Sequence, residues 1–274
     1  MLSTIHFLNY LLPFLYILTF AAYGYDFVKD NSVFNHTKRI FLFITLAIHG
    51  FYLLSRTIEF NHPPITNKFE IFTILSFSIA FSYFLIELSS DIRGTGVFII
   101  FISIIFQIFS TVFIEDLTDV IEILRNRLLG LHVISAMLGY SGFAISAVYG
   151  ILYLMLFKEI KLSNFGLIFN RLPNLETLEK LSFISAMVGF IMLTIAMIIG
   201  IIWLPLAFPN FSYLDPKLIG SALVWIIYCA GIVAKWFAEW PGKKIVTFSI
   251  IGFCLAIASM IVTTVLSSSF HTFN

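Results

Sequence analysis

Eight long apolar runs constrain the fold of this chain more than any other feature. Each holds about 20 mostly apolar residues, the length that a helix needs to cross the hydrocarbon core of a bilayer. They lie near 4–26, 39–57, 69–89, 95–115, 131–157, 181–205, 216–236 and 245–268. Of the 274 residues, 59% are hydrophobic and only 11% are charged, which is too little polar surface for a soluble globule. The sequence therefore predicts a multi-pass membrane protein.

The runs are apolar all round, whereas the strands of a membrane barrel are shorter and alternate with period two. The predicted fold class is all-α, a transmembrane bundle of eight helices that forms a single domain over 1–274. The first run has no Lys or Arg before Lys29 and no small-residue cleavage signature. We therefore expect a retained helix and not a signal peptide.

The orientation of the bundle follows from its basic residues. Eleven of the sixteen Lys and Arg residues fall on one side of the predicted membrane, and five fall on the other. The richer side is expected to be cytoplasmic. This places both termini, and the interruption at 208–217 between the sixth and seventh runs, on the outer side.

Three loop segments carry local signals. The apolar residues of 116–130 fall mostly on one helical face, which predicts an outer interfacial amphipathic helix whose Arg125 and Arg127 face water or an anionic ligand. The longest cytoplasmic loop is predicted at 158–180, with room for a short helix. Asn67 and Glu70 have the spacing of an N-cap box, so capping fits Glu70 better than a catalytic carboxylate does.

Several function classes are excluded or disfavoured. Cys229 and Cys254 lie inside apolar runs and form no CxxC pair, so thiol–disulfide chemistry is not expected. The net charge of +1 gives no nucleic-acid signal. The sequence contains no glycine-rich phosphate loop, Ser/His/Asp arrangement or HExxH zinc motif.

The candidate chemistry lies at the outer side. His132 opens the fifth run and His271 follows the eighth, and each continues a stripe of small residues of the kind along which membrane helices pack. Two facing imidazoles with an aromatic wall and a few cations could hold a heme. Spacing alone leaves open a hydrogen-bonded interface role for each histidine. The wall candidates are Trp203, Phe208, Phe211 and Tyr213, and the propionate candidates are Arg125, Arg127 and Lys217.

Five pieces of sequence occur in the order seen in a known family. They are 64–70, Leu131-His132-Val133 leading to Gly139-Tyr140, 189–203 with Asp215-Pro216-Lys217, Trp225 to Tyr228, and Gly252-Phe253 leading to Phe270-His271. From about His49 onward the chain resembles the cytochrome c assembly protein family, the CcsA, CcmC and HemX-like membrane proteins. The signature region spans about 64–274.

The resemblance implies heme handling at an outward-facing loop. Two outer histidines ligate the iron in that family, and His132 and His271 match their positions. Asp215 matches the acidic residue that closes the loop, and Trp203 matches a tryptophan at the end of the preceding helix. The loop departs from the family pattern WGxYWxWDPKE, because its tryptophans are absent.

Two residues keep alternative interpretations. His49 lies in the middle of the second run, where a polar side chain is costly and usually functional or paired. Its role is heme ligation, as the HemX-like branch suggests, or an interhelical hydrogen bond. Asp215 before Pro216 is equally suited to capping the seventh helix and to supporting a ligand.

The resemblance implies a membrane protein that presents non-covalent, b-type heme for cytochrome c maturation and is not a self-contained enzyme. Its expected partners are heme, apocytochrome c, a second assembly subunit and the lipid of the cytoplasmic membrane, and not nucleic acid. A HemX-like regulator or scaffold of heme biosynthesis is the alternative. A small-solute transporter is disfavoured, because only Glu70, His49 and a few boundary charges offer a polar pathway.

Overall fold

A computed structural model describes residues 2–29, 34–90, 94–116, 120, 122–163, 165–207, 212 and 214–265. This part of the chain is built of α-helices, with one short 3-10 helix and no strand. The α-helices are α1 Leu2–Lys29, α2 Phe34–Phe60, α3 Lys68–Ser90, α4 Gly96–Phe113, α5 Arg127–Lys161, α6 Leu167–Arg171, α7 Leu175–Ala207, α8 Pro216–Phe237 and α9 Gly242–Val265.

Eight of these helices are long and apolar enough to cross a membrane, and each coincides with most of one of the eight predicted runs. The predicted fold class is thereby confirmed, and the chain is a multi-pass membrane protein. The remaining α-helix, the short α6, lies in the connection between α5 and α7. Because α5 continues to Lys161 and α7 begins at Leu175, this connection is shorter than the predicted loop at 158–180.

The segment 116–130 differs from the single amphipathic helix expected for it. Its described part contains a 3-10 helix at Glu122–Arg125 and then the first turn of α5. Asn126 separates the two with an extended backbone, and its side-chain oxygen accepts a hydrogen bond from the Leu128 N–H at 2.8 Å. The cap favours a helix start at Arg127, because it satisfies an N–H of the first turn that has no partner within the helix.

Successive long helices run in opposite directions, so the bundle has two ends. The end at which α1 begins is called the proximal end, and it also holds the starts of α3, α5 and α8. The opposite end, where α1 finishes, is called the distal end. In the predicted orientation the proximal end is the outer one. The proximal position of 114–116 is consistent with the hydrogen bond from Arg56 Nη1 to Asp116 Oδ1, 2.8 Å long.

Helices α1 to α4 pack together as one half of the molecule, and α5, α7, α8 and α9 form the other. The longest contact in the second half runs between α5 and α7. A Cβ added to Gly142 would lie only 2.7 Å from the Gly189 Cα atom, so glycine permits the two backbones to approach this closely. The predicted small-residue stripe of α5 therefore faces α7 at Gly139, Gly142 and Ser146, whereas Gly150 lies against α9.

The first half differs from the second in what it buries. A row of polar side chains runs along the buried side of α1 to α4 from one end of the bundle to the other, and we call this row the polar axis. It consists of Asn9, Tyr16, Thr19, Tyr23 and Asp26 on α1, Lys38, Thr45, His49, Tyr52 and Arg56 on α2, Glu70, Thr73, Ser76, Tyr83 and Glu87 on α3, and Ser103, Gln107, Ser110 and Thr111 on α4.

The predicted cap of α3 is confirmed and has a second function. Asn67 Oδ1 accepts hydrogen bonds from the N–H groups of Phe69 and Glu70, at 3.0 and 2.9 Å. Glu70 accepts from the Thr66 N–H at 2.8 Å, one residue before the N-cap, which differs from the N-cap bond of a strict capping box. Its other carboxylate oxygen accepts from Arg56 at 2.8 Å, so the same side chain also holds a buried ion pair.

Candidate functional site

His132 lies in the second turn of α5, at the proximal end, and its imidazole is held by α7. Nδ1 donates a hydrogen bond to the Ala196 carbonyl oxygen at 2.8 Å. A carbonyl can only accept, so the proton of the neutral ring is on Nδ1 and the lone pair is on Nε2. A backbone carbonyl commonly fixes a metal-binding histidine in this way, which leaves Nε2 as the ligand atom.

Gly200 provides the space for this ring. It lies one helical turn after Ala196, and a Cβ atom at Gly200 would be 3.1 Å from both Cε1 and Nδ1 of His132. Sequence reasoning missed Ala196 and Gly200. Their spacing of four residues in an apolar helix was the available signal, because small residues at that spacing mark a close contact between membrane helices.

A cavity of about 510 Å³ opens beside His132. Binding sites for small molecules and cofactors have volumes of about 300–1,000 Å³. The cavity wall comes from α5, α7 and α8, with Ile71 of α3. Most of the wall is apolar, and it includes Tyr140, Met137, Met197, Leu193, Leu204 and Leu218. The described polar side chains in it include His132, Lys217 and Ser221.

Two of the predicted site residues join His132 in this wall. Trp203 is 3% exposed and packs with Ile65, Leu129 and Leu204 behind the cavity. Lys217 lies in the first turn of α8, on the opposite side from α5. The structure thus combines a histidine with an open nitrogen, a large aromatic side chain and a cation around one apolar space.

Asp215 has a local structural role. Its side chain accepts a hydrogen bond from the Lys217 N–H at 2.8 Å, and Pro216 occupies the first helical position of α8. This is the capping arrangement that the sequence suggested. The cap fixes where α8 begins, and therefore where the Lys217 side chain can lie, although Asp215 itself is outside the described cavity wall.

Arg125 and Arg127 are exposed at the proximal end. Arg125 ends the 3-10 helix and Arg127 begins α5, one turn before His132. Neither belongs to the described wall of the cavity. The remaining predicted site residues Phe208, Phe211, Tyr213 and His271 lie outside the described residues.

His49 is fully buried, and both of its ring nitrogens are hydrogen bonded. Nδ1 lies 2.9 Å from the Tyr16 hydroxyl oxygen, and Nε2 lies 2.9 Å from Thr73 Oγ1. These bonds join α1, α2 and α3, as the interhelical alternative proposed. A metal at His49 would have to displace one of them.

Comparison with known proteins gives one family. The sequence profile described as Cytochrome C assembly protein matches residues 8–271. The chain is 26% identical over 271 residues to the cytochrome c biogenesis protein CcsA of Guillardia theta, covering 91% of this chain and 89% of the relative. It is 25% identical to the protein HemX of Brevibacillus brevis over 266 residues, covering 94% of each chain.

Proposed function

Because the chain belongs to the cytochrome c assembly protein family, a family of heme-handling membrane proteins, we propose that it binds heme at the outer face of the cytoplasmic membrane. There it presents the heme for attachment to apocytochrome c. The observation that supports this proposal most directly is the His132 imidazole, which is bound through Nδ1 to the Ala196 carbonyl, keeps its lone pair on Nε2 and lines a cavity of cofactor size.

The residues around the cavity fit a heme. A porphyrin is flat and apolar and carries two propionates at one edge. The apolar wall with Trp203 and Tyr140 suits the ring, and Lys217 offers a cation to a propionate. Arg125 and Arg127, exposed at the same end, are proposed as further propionate partners. We propose that the heme is non-covalent and of b type.

His271 is proposed as the second axial ligand. It follows the last described residue of α9, Val265, by six positions. α9 runs toward the proximal end, which supports the proposal that His271 lies on the side of the membrane that holds His132. The aromatic residues Phe208, Phe211 and Tyr213 are proposed to extend the wall from the connection between α7 and α8. Both termini would then face outward.

The side chains of this protein bind and orient the heme. Heme, when bound, would supply the vinyl groups that react with the thiols of an apocytochrome, with no covalent attachment to a side chain of this protein. His132 would hold the iron through Nε2, Lys217 would hold the propionate edge, and the apolar wall would exclude water. The partners proposed for delivery are apocytochrome c and a second membrane subunit of the assembly system.

A second function is supported by the similarity to HemX over 94% of each chain, and by the loss of the loop tryptophans. In this alternative the protein is a regulator or scaffold of heme biosynthesis that keeps the fold. Deletion of the gene separates the two functions. Loss of c-type cytochromes indicates assembly, whereas altered heme-precursor levels with normal cytochromes indicate regulation.

Heme titration of the purified protein tests the ligand assignment. Wild type is expected to give a low-spin spectrum, and His132→Ala and His271→Ala are each expected to convert it to a high-spin form and weaken binding. His36→Ala is the matched control, because His36 is an exposed histidine at the distal end of α2. An unchanged low-spin spectrum in the double variant would remove both histidines from the proposal.

A further inference from the structure

The polar axis of α1 to α4 has no part in the heme proposal. Burying its ionisable groups within a membrane costs free energy. Intramembrane Asp, Glu, Lys, Arg and His residues are rare, and they usually mark pathways for ions or protons. The axis holds His49 near the middle of the membrane and ionisable groups at both ends. In the described spans of α5, α7, α8 and α9, the buried polar residues are serines and tyrosines. Packing in this membrane therefore does not require ionisable groups.

The hydrogen bonds at the middle of the axis all point in one direction. Thr73 donates its O–H to Gln107 Oε1 at 3.0 Å, so its oxygen is the acceptor for His49 Nε2–H. His49 Nδ1 then has a lone pair, and it accepts the O–H of Tyr16. Tyr16, His49, Thr73 and Gln107 thus form a chain in which each group donates to the next.

Such a chain can move a proton by successive hops. A proton taken up by the Tyr16 oxygen releases the original Tyr16 proton to His49 Nδ1. His49 then releases its Nε2 proton to Thr73, and Thr73 releases its proton to Gln107. Each hop forms one O–H or N–H bond and breaks another, so the charge advances to Gln107 Oε1. The passage reverses every hydrogen bond of the chain, so the side chains must turn back before the next proton can follow.

Toward the distal end the axis continues with groups that exchange protons. Thr19 and Thr45 share a hydrogen bond of 2.9 Å, and Thr19 lies one helical turn after Tyr16. Tyr23 follows one turn later and donates its O–H to the Glu87 carboxylate. Side chains one turn apart on a helix have Cβ atoms about 5–6 Å apart, so a proton moving between these hydroxyls would need a bridging water molecule.

Toward the proximal end the chain meets an amide. Gln107 Nε2 donates to Thr111 Oγ1 at 3.2 Å, and Thr111 donates to the backbone carbonyl oxygen of Asn9 at 3.0 Å, which accepts but has no proton to pass on. Beyond them lies the carboxylate pair of Glu70 and Asp116 around Arg56. A carboxamide donates and accepts hydrogen bonds but has no titratable proton near neutral pH, so it passes a proton slowly.

We propose that the polar axis of α1 to α4 is a proton path across the membrane, with His49 as its central relay and the Gln107 amide as its slowest step. The ionisable clusters at Glu87 and Glu70 are its two entrances. The proposal is independent of heme, because the path lies in the other half of the molecule from the His132 cavity.

Proton flux into vesicles tests the path. The full chain, free of heme, is reconstituted into liposomes with a trapped pH-sensitive dye, and a potassium gradient with valinomycin drives protons inward. Gln107→Glu is expected to raise the flux at least tenfold over wild type, because a carboxylate at this position accepts and releases the proton that the amide retains. His49→Leu is expected to lower the flux of both wild type and Gln107→Glu to that of protein-free vesicles.

Two variants control for folding and leakage. Tyr16→Phe removes only the hydroxyl that donates to His49, so it lowers the flux without opening a cavity. Ser249→Ala, in the other half, is expected to leave the flux unchanged. The proposal is overturned if the proton flux of Gln107→Glu is no greater than that of wild type, or if the flux survives both His49→Leu and Tyr16→Phe. It is also overturned if dye leakage rises by the same factor as the proton flux.

Discussion

The two halves of this bundle cross the same membrane and treat polar groups in opposite ways. Helices α1 to α4 place theirs inside and pair many of them with each other, as in the His49 and Arg56 networks. Helices α5, α7 and α8 enclose an apolar space lined by His132, whose Nε2 keeps its lone pair because Nδ1 donates to the Ala196 carbonyl. A polar group with all its partners holds structure or relays protons, whereas one with an open lone pair can take a ligand. Proton relay is therefore to be sought in α1 to α4, and ligand binding in the cavity of α5, α7 and α8.

The largest expected effect comes from breaking the ionic network of the first half. Arg56 is 2% exposed and bonds to Glu70 and Asp116, so Arg56→Leu leaves a buried carboxylate without its cation. We expect a loss of about 3–5 kcal/mol in the free energy of unfolding. The measurement is chemical unfolding in detergent micelles.

Lys235→Leu is the matched comparison in the second half, because the Lys235–Glu179 pair is partly exposed. Its expected cost is below about 1 kcal/mol. Equal losses for the two variants would contradict the claim that buried charge pairing distinguishes the halves.

The stability of the second half should instead depend on side-chain volume where α5 contacts α7. Gly142→Ala would place a methyl group 2.7 Å from the Gly189 Cα atom, so α5 and α7 must separate. The expected cost is about 1–3 kcal/mol, measured by the same unfolding assay. Gly50→Ala is the control, because its new methyl group would lie 3.9 Å from the Phe77 ring. The Gly50 variant should be unchanged or slightly more stable.

A smaller effect is expected at the open histidine. Gly200→Ala would put a methyl group 3.1 Å from the His132 ring and turn it away from the Ala196 carbonyl. Heme affinity should fall on the order of tenfold, equivalent to about 1.4 kcal/mol, with a shifted absorption band. The thermal midpoint should change little. A fall in stability without any change in the heme spectrum would show that Gly200 serves packing alone.

The smallest effect is expected at the serines where α5, α7 and α9 meet. Ser249 Oγ lies 2.6 Å from Ser146 Oγ, and Ser146 also donates to the Ser182 carbonyl at 2.7 Å. Ser249→Ala removes one bond and leaves Ser146 satisfied, so the expected cost is about 1 kcal/mol or less. A cost comparable to that of Arg56→Leu would mean that the serines are as important as the charges.

The sequence was sufficient for the helices and their caps, because both depend on local information. The apolar runs located all eight spans, and Asn67 and Asp215 marked two helix starts. The polar axis was not predicted. Thr73, Gln107 and Asn9 look unremarkable one at a time, and only the packing of four helices brings them together. The sequence analysis therefore identified too few of the polar groups that are buried in α1 to α4.

The cavity was predicted only in part for the same reason. His132, Trp203 and Lys217 were identified from sequence, but the walls supplied by α7 and α8 depend on which helix faces α5. The expected amphipathic helix at 116–130 differed because Asn126 caps a new helix in its middle. A periodic apolar pattern cannot show such a break when both sides of it are helical.

The bond between His132 and Ala196 has one more consequence, since its two atoms belong to different helices. Its length depends on the position of α7 along α5, and a slide by one residue is about 1.5 Å, enough to break it. The imidazole is then free to turn its lone pair away from the cavity. The hydrogen bond therefore forms at only one position of α7 along α5. A partner protein that binds the lipid-facing side of α7 and shifts the helix by about 1.5 Å would release a bound ligand without entering the cavity.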